Sequence, residues 1–178
     1  DLLLMESRNS VRNITAHLLE KGCTLPGFMG DIGYAQSNRE RYEGFCQALM
    51  DAGKTPNPSL CLTTPLGIDS YREEIDSFLS SLSRMPDAFV CASDYVACIL
   101  MQLLEKRGLR VPEDVAVSGF DNNIEDLLAE NLTTVQVFNE ELGSRLALQI
   151  LYRIKYPHTP HEVTYLESKV LYRASTGD

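Results

Sequence analysis

The sequence predicts an α/β fold, a mostly parallel β-sheet with helices on both faces. Three observations predict it. Short apolar runs alternate along the whole chain with segments of helical period, each about 10 to 17 residues long. Glycines at 22, 53 and 108 follow three of those segments, where a helix C-terminus favours the left-handed conformation. Crossovers of this length between strands imply right-handed βαβ units. The 178 residues, 44% of them hydrophobic, suffice for about one domain with a buried core.

Residues 2–5 read as a buried strand. In 11–19, Val11, Ile14, Thr15, Leu18 and Leu19 share one helical face, and Gly22 ends the segment. Residues 25–29 form a second strand interrupted by Pro26, and 30–35 a glycine-containing loop. Residues 37–52 are helical, with Tyr42, Phe45, Cys46 and Leu49 at helical spacing. Two prolines make 54–59 a linker before a short strand at 60–62. Helix 68–83 carries Ile75, Phe78, Leu79 and Leu82, and strand 87–92 leads into helix 93–107. Strands at 115–118 and 134–137 follow, then an amphipathic helix over 140–155. A Pro/His turn at 156–161 precedes a final strand at 163–171.

Sixteen Lys and Arg against 25 Asp and Glu give a net charge of −9, which argues against direct contact with nucleic acid or an anionic membrane. No apolar run approaches the roughly 20 residues of a membrane span. The five cysteines are scattered without a CxxC pair, as expected of free thiols in a reducing cytoplasm. Enzyme signatures such as GxSxG, GxxxxGK[ST] and HExxH are absent. Gly27, Gly30 and Gly33 are spaced GxxGxxG and read as a loop needing positive φ rather than a phosphate cradle. His158 and His161 flank Pro160 without a third ligand, so neither a metal nor a cofactor is expected. An uncapped apolar run directly after Asp1 is expected of a strand met midway, hence of a piece of a longer protein.

In a parallel sheet, ligands gather beyond the carboxyl ends of the strands. The polar residues there are Ser37, Arg39 and Arg41, then Thr63 and Thr64, then Ser93 and Asp94, then Asp121 and Asn122. Arg41 can fork to two hydroxyls or a carboxylate, or pair on the surface with Glu40 or Glu43. Asp121 can accept from sugar hydroxyls, cap the following turn, or do both. One of Ser93 and Asp94 is expected to cap the next helix and the other to face the cleft. That helix is apolar all round its first two turns, more than one sheet face requires, which favours a subunit interface; Leu127 and Leu128 extend the patch.

These residues also resemble a known family. Pro86-Asp87-Ala88-Phe89-Val90-Cys91-Ala92-Ser93-Asp94 resembles the PDAxxxxND segment of the LacI/GalR transcriptional regulators. Residues 108–122, GLRVPEDVAVSGFDN, resemble its GlrVPeDvaVvGfDd stretch, and Leu132-Thr133-Thr134-Val135 its LTTV crossover. His17-Leu18-Leu19-Glu20-Lys21-Gly22, Arg39 to Phe45 and the closing 170–176 resemble further family elements, in order. The resemblance implies a Rossmann-like, type I periplasmic-binding-protein-like effector domain, of which this chain is mostly the C-terminal subdomain. Residues 1–137 would form that subdomain, 138–157 a helix of the N-terminal subdomain, and 158–178 a strand returning to the C-terminal one.

By the same resemblance, Arg41 and Asp121 match effector-binding positions, and Ser93 stands where many members have a ligand-contacting Asn. Thr64 or Pro65 falls near a position that often holds an aromatic stacking on the ligand, and neither can stack. Tyr34 is then a candidate platform in a chain without Trp, and Ser37 a further ligand contact. Helix 95–107 matches a dimer-interface helix, giving Cys98, Met101, Gln102 and Leu127 as interface candidates. The function implied is a cytoplasmic repressor's effector-sensing and dimerisation domain. It would bind a small molecule such as a sugar, act as a homodimer, and reach operator DNA only through a headpiece absent from this chain. A secreted sugar receptor for transport or chemotaxis shares the fold, but the free cysteines and the apolar helix count against it. An enzyme on such a sheet lacks a phosphate loop or a strand-end His here.

Overall fold

The computed structural model describes residues 1–67, 69–123 and 129–178. In chain order the elements are β1 (Leu2–Met5), α1 (Arg8–Glu20), β2 (Pro26–Met29), α2 (Gln36–Asp51), β3 (Cys61–Leu62), α3 (Tyr71–Ser81) and β4 (Ala88–Cys91). They continue as α4 (Asp94–Lys106), β5 (Ala116–Ser118), β6 (Thr134–Gln136), α5 (Asn139–Lys155), β7 (Val163–Leu166) and β8 (Lys169–Leu171). The central sheet is parallel, in the order β3-β2-β4-β5. Parallel bridges from Ser118 to Thr133 and from Asp121 to Gln136 extend it towards β6.

Strand alternation divides the core between the two faces. Ala88 and Val90 of β4 join Val11, Ile14, Leu18, Phe28, Phe45 and Phe120 beneath α1 and α2. Phe89 and Cys91 turn the other way, to Met29, Ile75, Leu79, Leu100, Leu104 and Val117 beneath α3 and α4. Of the three glycines expected in a loop, Gly27 lies within β2. A Cβ there would stand 2.5 Å from the Leu60 carbonyl oxygen, so close packing rather than positive φ requires it.

Two expectations about the ends of the chain differ from the structure. Residues 163–171 form two strands, not one: β7 pairs in parallel with β1, and β8 pairs antiparallel with β6. The break is pinned at Ser168, whose hydroxyl bonds the Glu6 carbonyl (2.8 Å) and the Ser10 hydroxyl (2.7 Å). The strand expected to sit with residues 1–137 likewise leaves the central sheet, because all of β1's ladder bonds go to β7. Asp1 fastens this unit to α5, accepting from Gln149 Nε2 (2.9 Å) and Arg153 Nε (2.9 Å). No residue of α5 is buried, and Leu148, Leu151 and Ile154 lie exposed along it.

The helix expected over 68–83 spans Tyr71–Ser81, since Leu82 is already extended on the way to β4; residue 68 lies outside the described residues. The apolar excess of α4 is largely taken up within the chain. Cys98, only 5% exposed, packs in the core, while Met101 and Gln102 are half-buried. Leu127 and Leu128 lie outside the described residues.

Candidate functional site

Arg41 and Asp121 come together where β4 and β5 end. Arg41 sits in the second turn of α2, with a side chain only 11% exposed. Its guanidinium lies over the Phe120 ring, Cζ 3.6 Å from the centroid, an attractive placement for a desolvated cation. Nη1 donates to the Ala92 carbonyl and to Asn38 Oδ1 (3.4 Å), and Nη2 to Asp121 Oδ1 (3.4 Å). Nε is buried with no hydrogen-bond partner among the described residues. Burial pulls the Arg41 pKa down, opposed by Asp121, Asp94 and Glu40. The surface-pair alternative fails because the acids are engaged elsewhere: Glu40 with Ser7 and Gln36, Glu43 with Arg8.

Asp121 follows β5 at φ 110, and Asn122 follows at φ 47, a left-handed turn that neither residue adopts without cost. The bond from Asp121 N to Val135 O (3.1 Å) holds the turn and aims the carboxylate back at Arg41. Burial pushes the Asp121 carboxyl up to about 6; Arg41 opposes the rise and Asp94 adds to it. The site thus pairs a fixed cation with a half-exposed carboxylate whose ionisation is easily tipped.

Ser93 caps α4, its Oγ accepting from Val96 N (3.3 Å). Asp94 is buried and structural, accepting from the Thr134 hydroxyl and from Asn123 N (3.4 Å). Ser37 lies one turn before Arg41 on α2. Tyr34 is 78% exposed in the loop after β2, and Thr64 is exposed beyond β3, both towards the opposite edge of the sheet from Asp121. A groove of about 490 Å³ between the first turns of α1 and α2 reaches Tyr34 and Arg39 but not Arg41.

Sequence reasoning missed Phe120 as the platform under Arg41, and also Asn38, whose only signal was its position three residues earlier on the same helix. It also missed the contact of Tyr71 with Tyr95, centroids 5.6 Å apart.

Other motif residues hold the scaffold. Asp87 accepts from Thr24 N (2.7 Å), Thr24 Oγ1 (2.8 Å) and Leu25 N (2.9 Å), anchoring the entry to β2. Ser175 accepts from Thr133 N (2.8 Å) and donates to Val117 O (2.6 Å), tying the closing segment to β5 and β6. Arg173 Nη2 donates to Asn122 Oδ1 (2.9 Å) behind the Asp121 turn.

Comparison with known proteins decides the family. The sequence profile of the periplasmic binding protein-like domain matches residues 15–176. The chain belongs to that family. The HTH-type transcriptional repressor PurR of Aliivibrio salmonicida is 29% identical over 163 residues, covering 90% of this chain and 48% of PurR. A LacI-family transcriptional regulator of Sanguibacter keddieii superposes with a TM-score of 0.86 at 28% identity, covering 100% of this chain and 67% of that one. The structure of a transcriptional regulator CelR–cellobiose complex gives 0.85 at 26% identity, covering 97% and 53%. The resemblance to the LacI/GalR regulators is thereby borne out, as is the fold class. This periplasmic binding protein-like domain spans about half the length of the curated relatives it matches. No helix among its described residues is long and apolar enough to cross a membrane.

Proposed function

We propose that this domain is the effector-sensing and dimerisation domain of a cytoplasmic DNA-binding repressor, and that its effector is a small sugar or sugar derivative. The observation that carries the reading is the Arg41–Asp121 pair at the strand ends. Arg41 lies over the Phe120 ring, with Nη2 of its guanidinium 3.4 Å from Asp121 Oδ1. A ring bearing neighbouring hydroxyls satisfies both groups at once, accepting from the guanidinium and donating to the carboxylate. Ser93 and Ser37 add polar contacts around it, while Thr64, beyond β3, lies too far along the sheet to reach the same ring. The complex of the similar regulator CelR with cellobiose supports a sugar as the effector.

The other wall of the cleft belongs to a second subdomain, to which β1, α5 and β7 contribute; their mutual pairing and the exposed apolar side of α5 support this division. Ligand favours one orientation of the two subdomains, and a homodimer built on the α4 side passes that choice to DNA-reading headpieces. A coupling of about 1–3 kcal/mol changes operator affinity several-fold to a hundred-fold.

The test uses the full-length gene product and the DNA upstream of its gene. Sugar should shift DNA affinity in the wild type, while Arg41→Ala removes the sugar response and leaves dimerisation intact. A signal peptide ahead of this domain, or an unchanged response in Arg41→Ala, refutes the proposal.

A further inference from the structure

The Arg41–Asp121 pair uses only part of the strand-end face. Tyr34 follows β2, Tyr71 opens α3 beyond β3, and Tyr95 lies in the first turn of α4 beyond β4. Three tyrosines therefore rise from three strand ends adjacent in the sheet. Tyr71 and Tyr95 meet edge to face at an interplanar angle of 89°, which fixes both rings. Tyr95 is nonetheless 54% exposed and Tyr34 78% exposed, so neither serves the core. The loop after β2, which carries Tyr34, leaves the strand that lies between β3 and β4, so it emerges on the same strand-end face as the pair. That loop is held by Asp31 Oδ1, which accepts from Gly33 N (2.7 Å) and Tyr34 N (3.1 Å).

Sheet order sets the distance. Asp121 lies at the β5 end, and Tyr34 follows β2, two strand intervals away in the order β3-β2-β4-β5. At ~4.8 Å per interval the face between them runs about 10 Å, longer than a single pyranose ring. Charge sets the ligand class. The ionisable groups acting on Tyr71 besides the two tyrosines are Asp31 and Glu74, both acidic, and the neighbouring cation Arg72 is bonded to Gln102. Arg39 lines the groove that reaches Tyr34, but at the Tyr71–Tyr95 pair the acidic neighbours disfavour a phosphate or carboxylate and the aromatic rings favour the apolar C–H face of a neutral ring.

We propose that Tyr34, Tyr71 and Tyr95 form a second subsite that takes the far ring of a neutral two-ring ligand, a disaccharide or an aryl glycoside, whose first ring is held by Arg41 and Asp121. The inference rests on the sugar-effector reading. Ring stacking at one side secures the ligand while hydrogen bonds at the other orient it, so affinity depends on ring number as well as hydroxyl pattern.

The test is titration calorimetry on the full-length gene product with glucose, galactose, cellobiose, lactose, maltose, phenyl β-glucoside and glucose 6-phosphate. At least one two-ring probe should bind about tenfold or more tighter than its constituent monosaccharide, and the phosphate should not bind. Tyr95→Ala and Tyr34→Ala should each cost that probe about tenfold and leave the monosaccharide within about twofold, while Tyr95→Phe retains the affinity. Tyr34 stands on an exposed loop, so its variant decides the matter should Tyr95→Ala fail to fold. Equal affinities for one-ring and two-ring probes, or tyrosine variants that weaken both alike or neither, overturn the second subsite and leave the sugar reading standing. Binding of no probe by the wild type overturns the sugar reading and the second subsite together.

Discussion

Gly44→Ala and Gly143→Ala are the same substitution in the interior of two helices, and they should act with opposite sign. A Cβ on Gly44 would stand 2.2 Å from the Arg8 carbonyl oxygen, 3.1 Å from the Arg8 carbonyl carbon and 3.2 Å from Arg12 N. Ordinary C···O contacts begin near ~3.3 Å, so α1 and α2 must separate by about 1 Å. Overpacking of this kind costs about 1–3 kcal/mol. Replacing a helical Gly by Ala returns about 0.5–1 kcal/mol. At the middle of both ranges the close approach wins at Gly44, with a net loss of about 1 kcal/mol. At Gly143 a Cβ meets nothing within 4 Å, leaving only the propensity gain. The two variants should differ by about 2 kcal/mol, or ~4–8 °C in Tm for a domain of this size. Thermal unfolding followed by far-UV circular dichroism reads this directly. Because Arg41 stands one turn before Gly44 on α2, Gly44→Ala should also weaken sugar binding, whereas Gly143→Ala should not. A Gly44→Ala protein as stable as wild type would refute the reasoning, since nothing else in α2 requires a glycine there.

Three further outcomes follow from the site and its scaffold. On the proposed function, Asp121 would accept ligand hydroxyls when ionised, and burial pushes its carboxyl up to about 6, so sugar affinity should rise with pH through 6 and level off above it. At pH 5 the affinity should be about tenfold below the plateau, and Asp121→Asn should give a flat profile in calorimetry. The sign for stability is the reverse: this raised carboxyl favours the fold below the unfolded pKa of about 3.9, and that contribution is lost as pH rises through about 6. Denaturant titrations of Asp121→Asn should lack this component, and an unchanged pH dependence would count against it. Ser175→Ala strands the buried Thr133 N–H and should cost about 1–3 kcal/mol in urea unfolding. A loss under about 0.5 kcal/mol would mean the closing segment is not fastened there.

Much of this protein was legible in the sequence because the relevant signals are local. The 3.6-residue spacing of Val11, Ile14 and Leu18, or of Ile75 and Leu79, marks both the helix and the face it buries. A residue just past an apolar strand, or near the start of the helix that follows it, is on the carboxyl-end side of a parallel sheet wherever the strand pairs, so Asp121 and Arg41 could be singled out before any fold was known. Tertiary structure decided what depends on partners distant in the chain. Nothing within residues 2–5 says that they pair with 163–166 rather than with β2, because a strand's alternation records its faces and not its neighbour. Nothing in Arg41 itself discloses the ring of Phe120 beneath it, or that Glu40 and Glu43 are bound elsewhere. Nor does the apolar surplus of α4 tell a core from an interface, since both bury the same side chains. Cys98 lies in the core because β4, β5 and α3 close over it, and that closure is a property of the assembled sheet, not of any one segment.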